Sequence, residues 1–409
     1  MSDPLLAVLA RSLARTPTKS ERARARLHLL DWLACIAGAR RSDAARVATA
    51  ISSRGWERAS YLGNVLEMDD VHRTALLHPG PVVWPAALSL EAADLDARLD
   101  AALRGYEAMI TIGAAFDSHH YAQWHPTATM GGFGACGAFA SLLELEPREM
   151  VDALGNAGSV AGGVWHMRHD AQALTKQWHV HHAVRTGREA ALHARHGAKG
   201  PAAILEGPQG LFAAMTKAPG TLTDANDGWL IEQVSFKPFA ACRHAHPAID
   251  AAMELRRRGE LEAPFRVMTF ADAITFCDRP DPQTELEAKF SLQHSVAVVA
   301  AGRRAEPQDF TPEAIAELAD LRAQVTVVED ADITARYPQH FGARVNDLEL
   351  VDTLGDPERP IDEIAIVAKV RSLVAWGGLP PEEAERAVSI ALAGDDARAL
   401  DLMLEEWTR

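Results

Sequence analysis

The chain has 409 residues, 48% of them hydrophobic and 24% charged, and this composition is typical of a folded protein rather than a disordered one. Its length exceeds what one hydrophobic core usually spans, so we expect two domains. A formal net charge of −15 argues against nucleic acid as a partner, although local Lys, Arg and His side chains can still bind a small carboxylate.

The cysteines and the hydropathy pattern further limit the class of protein that this sequence can encode. Cys35, Cys136, Cys242 and Cys277 are scattered without a CxxC pair, which predicts neither a disulfide framework nor a metal cluster. The sequence lacks a basic-then-apolar leader and a run of about 20 apolar residues, so we expect no membrane partner. The pattern therefore favours a cytoplasmic protein with reduced thiols.

Helical patterns dominate the chain up to about residue 235. Four segments have helical patterns: 2–38, 86–93, 99–116 and 130–145. Within the first segment, Thr18 and Glu21 have the spacing of a capping box. The last segment is so rich in Gly and Ala that it predicts close packing between helices.

The pattern changes after residue 236. Arg266–Ala271, Gln324–Val328 and Ile364–Val370 are rich in β-branched residues and predict strands, and helical spacing returns from Pro380. We therefore predict a mainly α protein. A large all-helical domain spans residues 1–238 and is completed by the C-terminal helices in 375–409, and a smaller α+β domain spans 239–374.

The densest polar cluster lies within residues 64–85. It contains three carboxylates, two imidazoles and a guanidinium, from Glu67, Asp69, Asp70, His72, Arg73 and His78. Charges on a half-apolar segment are costly to hold, which favours a functional use over a chance cluster on a surface helix. The Pro-Gly-Pro that follows His78 predicts a rigid turn that fixes this imidazole.

Histidines are concentrated in the next part of the chain, where ten of the 17 lie between His119 and His196. His125 precedes a Pro at the start of a Gly-rich helix, and Thr127 lies in the first turn, where free N–H groups favour an anion. A satisfied loop histidine is the alternative for His125. Lys176 shares a helix face with small residues, which suits a buried carboxylate. We expect His181 and His182 on a solvated face.

Two later clusters add cationic groups. Residues 237–250 contain Arg243, His244 and His246, and residues 288–295 contain Lys289 and His294. Repeated His with Lys or Arg, together with one carboxylate cluster, indicates general acid–base chemistry on a small molecule that carries several carboxylates. A metal site is the rival interpretation, but no HExxH spacing is present, and serine hydrolysis would need a GxSxG motif that is absent.

Six motifs occur in a characteristic order. They are Glu-Met-Asp-Asp-Val-His at 67–72 followed by His-Pro-Gly at 78–80, Trp-His-Pro-Thr-Ala-Thr-x-Gly at 124–131, Leu-Gly-Asn-Ala-Gly-Ser at 154–159, Thr-Lys-x-x-His at 175–179, Cys-Arg-x-x-His-x-x-Ile-Asp-Ala at 242–251, and Ala-Lys-Phe-Ser-Leu at 288–292. In this order they resemble the MmgE/PrpD family, which includes 2-methylcitrate dehydratase, cis-aconitate decarboxylase and iminodisuccinate epimerase. The resemblance implies the two-domain fold described above, a site that needs no cofactor, and a homodimer.

The resemblance also implies which side chains act. It places the catalytic pattern on Glu67, His78, His125, Lys176, His246 and His294. We add as candidate substrate-binding residues Asp69, Asp70, Arg73, Thr127, Arg243 and Lys289. The chain departs from the family pattern at four of its positions, with Glu67 for Asp, His294 for Tyr, Val71 for Thr and Asn64 for His.

We therefore predict a metal-independent lyase acting on a small di- or tricarboxylate. Dehydration of a 2-methylcitrate- or citrate-like hydroxy acid is the first interpretation, with a proton exchanged by His125 or His78. The departures at Glu67, Val71 and His294 leave open an epimerase of an amino- or imino-dicarboxylate. A third alternative, a binding protein on a degenerate scaffold, is disfavoured because His78, His125 and Lys176 are retained.

Overall fold

The computed structural model describes residues 3–170, 172–222 and 228–409. The chain divides into two compact units. Unit 1 comprises Met1–Val65, Asp69–Val234 and Glu363–Arg409, and unit 2 comprises Leu66–Met68 and Ser235–Asp362. Within the described ranges every strand belongs to unit 2. The predicted mainly α class with a small α+β part is confirmed.

Unit 1 is built from helices in two parts of the chain. The first part contains α1 (Leu5–Leu13), α2 (Lys19–Ala39), α3 (Asp43–Ile51), α4 (Gly55–Ala59), α5 (Gly80–Ala87), α6 (Leu95–Gly113), α7 (Ser118–Gln123), α8 (Pro126–Leu142), α9 (Pro147–Gly158), α10 (Thr175–Arg195) and α11 (Leu211–Met215). Thr18 and Glu21 form the predicted capping box at the start of α2, so two N–H groups of its first turn are satisfied by side chains.

Unit 2 combines short helices with one four-stranded sheet. Its elements are α12 (His246–Arg258), β1 (Phe265–Thr269), α13 (Ala271–Cys277), α14 (Glu285–Lys289), α15 (Leu292–Ala300), α16 (Pro312–Glu317), α17 (Ala319–Arg322), β2 (Val325–Glu329), α18 (Ala331–Arg336), β3 (Ala343–Val345) and β4 (Leu348–Leu350). The strand order is β2-β1-β3-β4, with β1 parallel to β2 and antiparallel to β3. The strands predicted at 266–271 and 324–328 correspond to β1 and β2.

The chain then returns to unit 1 through α19 (Glu363–Trp376), α20 (Pro381–Val388) and α21 (Ala397–Trp407). The strand predicted at Ile364–Val370 is therefore wrong, because this segment is helical. Its buried residues Ile366, Val370 and Leu373 recur at helical spacing on one face, and α19 packs against α2. None of the helices in the described ranges is long and apolar enough to cross a membrane.

Helix α8 packs closely against α6 and α10, as its small residues predicted. A Cβ atom added to Gly187 of α10 would lie 2.5 Å from the backbone nitrogen of Cys136 and 2.7 Å from the carbonyl oxygen of Gly132. Real Cβ atoms do not approach backbone atoms this closely, so the spacing of these two helices requires glycine at position 187.

Replacing Gly187 with Ala is expected to lower the free energy of unfolding by about 1–3 kcal/mol, because the helices must separate to admit the methyl group. Urea denaturation measures this change. Gly132→Ala is the matched control, since its Cβ would meet its nearest neighbour, Thr186 Cγ2, at an ordinary 3.6 Å. Equal losses in the two variants would contradict the close approach of α8 and α10.

Candidate functional site

His78 of unit 1 is held at the predicted corner before α5. Its Nδ1 atom lies 2.8 Å from Oδ2 of Asp69 and 3.1 Å from the carbonyl oxygen of Asp70. Both neighbours are acceptors, so Nδ1 carries a hydrogen and Nε2 is the nitrogen that can exchange a proton. The backbone N–H of His78 donates to Oγ1 of Thr127 at 3.0 Å. Asp69 and Thr127 therefore fix the position and tautomer of this imidazole.

The carboxylate of Asp70 has a separate set of buried partners. It accepts hydrogen bonds from the Tyr106 hydroxyl at 2.5 Å and from the Gly80 N–H at 2.8 Å, and His28 Nδ1 lies 2.8 Å away. Burial raises the pKa of Asp70 to about 6, although the bonds from Tyr106 and Gly80 oppose the shift. Asp70 thus connects α2, α5 and α6, and its predicted role in substrate binding stays a prediction.

His125 is the residue immediately before α8. Its N–H donates to the carbonyl oxygen of Gly163 at 2.9 Å, and its ring centroid lies 4.6 Å from that of Trp165. Its Nδ1 lies 3.2 Å from Nδ1 of His179, so one hydrogen is shared between the two rings. Burial, followed by the charges of His179 and Lys176, holds the pKa of His125 well below its ordinary range. The ring is therefore neutral at pH 7.

Unit 1 brings four of the predicted catalytic or binding residues into one electrostatic group. Lys176 and His78 are near enough to His125 that their charges lower its pKa, and Asp69 raises it. Lys176 is the second residue of α10 and is half-buried. A neutral imidazole, an oriented imidazole, a carboxylate and an ammonium group thus lie together, as acid–base chemistry on a carboxylate requires.

Arg73 was predicted to bind substrate, and this role stays a prediction. The residue is half-buried, and burial of His72, followed by the charge of Arg73, lowers the pKa of His72 to about 4.

His181 and His182 were predicted to lie on a solvated face of α10. His182 is exposed as predicted, but the same prediction is wrong for His181. That ring is buried, lies 2.8 Å from the hydroxyl of Ser60 and stacks on Tyr61.

Glu67 of unit 2 lies beside a lysine that the sequence analysis did not select. Nζ of Lys237 is 3.9 Å from Oε2 of Glu67, and the two side chains are 0% and 3% exposed. Glu67 has a φ of 58°, in the left-handed region that costs a non-glycine residue on the order of 1–3 kcal/mol. Strain of this kind is concentrated at functional sites. Lys237 is the first residue of the 237–250 cluster, and that position was the available signal.

The 237–250 cluster places its other cationic groups against partners within unit 2. His246 is the first residue of α12, is fully buried, and its Nε2 donates to the carbonyl oxygen of Ala241 at 3.1 Å. Arg243 forms an ion pair with the buried carboxylate of Asp356, and its guanidinium lies 5.2 Å from the ring centroid of Phe341. Arg243 therefore has a partner in the core, and its role in substrate binding stays a prediction.

Lys289 and His294 also have protein partners. Nζ of Lys289 lies 2.8 Å from the carboxylate of Glu285. Nε2 of His294 donates to the carbonyl oxygen of Asp309 at 2.8 Å, and Nδ1 lies 3.5 Å from Nη1 of Arg322. Burial lowers the pKa of His294 to about 4, although the bond to Asp309 opposes the shift. This imidazole is neutral at pH 7, with both nitrogens engaged.

The buried histidines make the stability of the fold dependent on pH. Burial lowers the pKa to about 4, from an ordinary 6.5, at His72, His120, His181 and His294. Between these values the unfolded chain binds more protons than the folded one, so the free energy of unfolding falls as pH falls through this window. Asp31 and Asp70, with pKa values raised to about 6, act in the opposite direction, as do Glu107, Glu232, Asp250 and Asp309. These six carboxyl groups are fewer than the seven histidines whose pKa values burial lowers, because His28, His125 and His179 join the four above.

We therefore expect a net loss of stability on acidification from about pH 7 to about pH 4.5, measured by urea denaturation at several pH values. His294→Gln, which keeps polar atoms but does not titrate there, should show a weaker dependence. Stability that stays constant or rises across this window would contradict the prediction.

The fold and these groups define a mainly helical protein in which each unit contains buried histidine, lysine and carboxylate side chains. In the part of the chain that the structure describes, no group of three or more His, Cys, Asp or Glu side chains is arranged to hold a metal ion. The models of the MmgE/PrpD N-terminal domain and the MmgE/PrpD C-terminal domain match residues 58–222 and 239–395. The chain belongs to the MmgE/PrpD family.

Curated relatives include four proteins named cis-aconitate decarboxylase. The Homo sapiens protein is 30% identical over 183 residues, which are 42% of this chain and 37% of that protein. The Mus musculus protein is 31% identical over 186 residues, with the same two shares. A protein of Aspergillus terreus is 28% identical over 213 residues, 47% of this chain and 43% of that protein. The matched region thus spans less than half the length of these relatives.

Proposed function

We propose that the protein is a lyase that acts on a small di- or tricarboxylate through acid–base catalysis by its own side chains. The observation that carries the proposal is the group in unit 1 formed by neutral His125, the oriented His78–Asp69 pair and Lys176. The similarity to proteins named cis-aconitate decarboxylase supports the lyase class and the polycarboxylate substrate.

The first step is removal or return of a proton on a carbon next to a carboxylate. Loss of this proton places negative charge on the carboxylate oxygens, and a nearby ammonium group stabilises that charge. His125 is neutral at pH 7 and can accept the proton, whereas His78 can exchange a second one through Nε2. Lys176 binds the substrate carboxylate. In unit 2, Lys237, Glu67 and His246 are further candidates for carboxylate binding and proton transfer.

Dehydration of a 2-methylcitrate- or citrate-like hydroxy acid is the reaction that we favour. It needs one group to take the C–H proton and another to protonate the departing hydroxyl, and the two imidazoles of unit 1 supply such a pair. Decarboxylation is the second candidate, and the names of the curated relatives favour it. Epimerisation of an amino- or imino-dicarboxylate uses the same two imidazoles to remove and return one proton.

Proton NMR in D2O with citrate, 2-methylcitrate, cis-aconitate and aspartate distinguishes these reactions. Formation of an alkene from a hydroxy acid supports dehydration, and loss of cis-aconitate with release of CO2 supports decarboxylation. Deuterium uptake without net conversion indicates epimerisation. Activity that persists with a chelator supports the metal-independent mechanism. Absence of conversion and of exchange with the whole panel would contradict the lyase proposal.

We also propose that the protein forms the homodimer implied by the family resemblance. Light scattering coupled to size-exclusion chromatography should then give twice the 44.2 kDa mass of the chain. A mass equal to one chain over the accessible concentration range would contradict this assembly.

A further inference from the structure

His179 ends the Thr-Lys-x-x-His motif at 175–179 and has no role in the proposed chemistry. It lies in α10, three residues after Lys176. Its Nδ1 is 3.2 Å from Nδ1 of His125, and the two ring centroids are 5.4 Å apart with planes inclined by 36°. This nitrogen–nitrogen distance is that of a hydrogen bond, so one Nδ1 donates and the other accepts. The motif histidine therefore contacts the candidate base directly.

Gly163 contacts both residues of this histidine pair. Its carbonyl oxygen accepts the N–H of His125 at 2.9 Å, and a Cβ atom added to it would lie 3.4 Å from Cε1 and 3.5 Å from Nε2 of His179. The same Cβ would lie 2.4 Å from Cβ of Ala128, and φ of Gly163 is 101°, so the position requires glycine. The ring of His179 thus packs on the backbone segment that also fixes His125.

The two rings differ in their access to solvent. His125 is 1% exposed, whereas His179 is half-buried. In the part of the chain that the structure describes, Nε2 of His179 has no hydrogen-bond partner in the protein. A proton that reaches His179 can therefore leave to water through Nε2, whereas Nδ1 of His125 is enclosed by the contact between the rings.

A positive charge on His125 is costly where this ring lies. Burial, followed by the charges of His179 and Lys176, holds the pKa of His125 well below its ordinary range. Burial also lowers the pKa of His179, but that ring is the less buried of the two. A His125 that has accepted a substrate proton is a buried cation beside an ammonium group, so transfer of its second proton to His179 is favourable.

We propose that His179 is a positioning residue that relays the Nδ1 proton of His125 to solvent. The inference rests on the proposed function, in which His125 is the base. His179 first accepts the Nδ1–H of His125, which leaves Nε2 of His125 free for the substrate. When the substrate C–H bond breaks, its proton binds this Nε2 and its electron pair stays on the substrate. The Nδ1–H bond of His125 then breaks, the hydrogen binds Nδ1 of His179, and the Nε2 proton of His179 passes to water.

These transfers leave both rings neutral. One proton has left the substrate and one has reached water, so protons balance, and the negative charge remains on the substrate. His125 now holds a hydrogen on Nε2 and can act as an acid. In the reverse direction, water protonates Nε2 of His179, the Nδ1 hydrogen returns to His125, and His125 releases its Nε2 proton. The relay thus interconverts the base and acid forms of His125.

NMR of the folded, full-length protein that carries nitrogen-15-labelled histidine tests the contact without substrate. The shared hydrogen should couple the two Nδ1 nuclei, and His179→Asn should abolish this coupling. His193→Asn, at an exposed site on α10, is the matched control and should keep it. Two Nδ1 nuclei without coupling in the wild-type protein would overturn the proposal.

Turnover is measured with whichever of citrate, 2-methylcitrate, cis-aconitate and aspartate the wild-type protein converts. The Asn side chain of His179→Asn can still accept the Nδ1–H of His125, but it cannot take the proton. We therefore expect kcat to fall by about tenfold or more, with KM within about twofold of wild type. His193→Asn should leave both constants within about twofold of wild type. Circular dichroism establishes that each variant is folded.

Rescue by a small base separates proton transfer from packing. In His179→Ala, imidazole in the buffer should restore part of the lost turnover, whereas pyrazole, which has the same size but is a much weaker base, should not. If His179→Asn fails to fold, the wild-type coupling and this rescue still decide the question.

Two kinetic results would overturn the relay and leave the lyase proposal intact. They are equal rescue by imidazole and pyrazole, and a folded His179→Asn protein that turns over as fast as wild type. A wild-type protein that converts none of the four compounds would contradict the lyase proposal itself, and the relay with it.

Discussion

Replacing His125 with Asn is expected to lower turnover by about 10²–10⁴-fold while the protein remains folded. The amide of Asn occupies the region of Nδ1 and can still meet His179, but it lacks the Nε2 atom and cannot accept a proton. His125 is the best candidate for the base, because burial keeps its ring neutral at pH 7 and it lies beside Lys176. The rates are measured by NMR with 2-methylcitrate and cis-aconitate.

His182→Asn is the matched control for this variant. His182 is exposed on α10 and belongs to the same His-rich stretch as His179, so its loss should leave turnover within about twofold of wild type. Thermal unfolding of both variants separates a chemical loss from a folding loss. Near-complete retention of turnover by a folded His125→Asn protein would remove His125 from the mechanism and leave His78 as the proton-transfer group.

Local sequence chemistry predicted those parts of the fold that depend on neighbours along the chain. The capping box of Thr18 and Glu21 needs only two side chains three residues apart, and it formed as predicted. The strand prediction for Ile364–Val370 was wrong because β-branched residues fit either a strand or one face of a helix. Its partner α2 decides the outcome, and the ion pair between Lys369 and Asp31 joins residues 338 positions apart.

The same distinction applies to the candidate site. Motif spacing selected His78, and the neighbouring Asp69 and Pro79 account for its orientation from local sequence. Lys237 was missed because the reason to select it is its contact with Glu67, which is distant in the chain. No local sequence pattern indicates that these two side chains lie close together. Ring tautomers and the buried partners of Asp70 likewise require the folded structure.

Replacing Lys369 with Met is expected to lower the free energy of unfolding by about 3–5 kcal/mol at neutral pH. Nζ of Lys369 lies 2.6 Å from Oδ1 of Asp31, and both side chains are buried between α19 and α2. Even with this partner, burial raises the pKa of Asp31 to about 6. Without Lys369 the carboxylate is an uncompensated buried charge, so that pKa rises further.

The sign of the pH dependence follows from this shift. A carboxyl group with a raised pKa in the folded state lowers stability as pH rises, because the unfolded chain releases its proton first. The deficit of Lys369→Met relative to wild type should therefore be smallest below about pH 6 and grow as the pH increases above that value. Urea denaturation of both proteins at matched pH values measures the difference.

A second substitution separates the loss of an ion pair from the burial of a charge. In Asp31→Leu/Lys369→Met both charged groups are replaced by apolar ones of similar volume, and such replacements are often neutral or stabilising. The double variant should recover most of the stability that Lys369→Met loses, and its difference from wild type should no longer grow as the pH rises above about 6. If the double variant is as unstable as Lys369→Met, the cost comes from packing of the α2–α19 contact rather than from an unpaired carboxylate. The packing of α19 on α2 would then depend on shape complementarity between the two helices rather than on the buried charge pair.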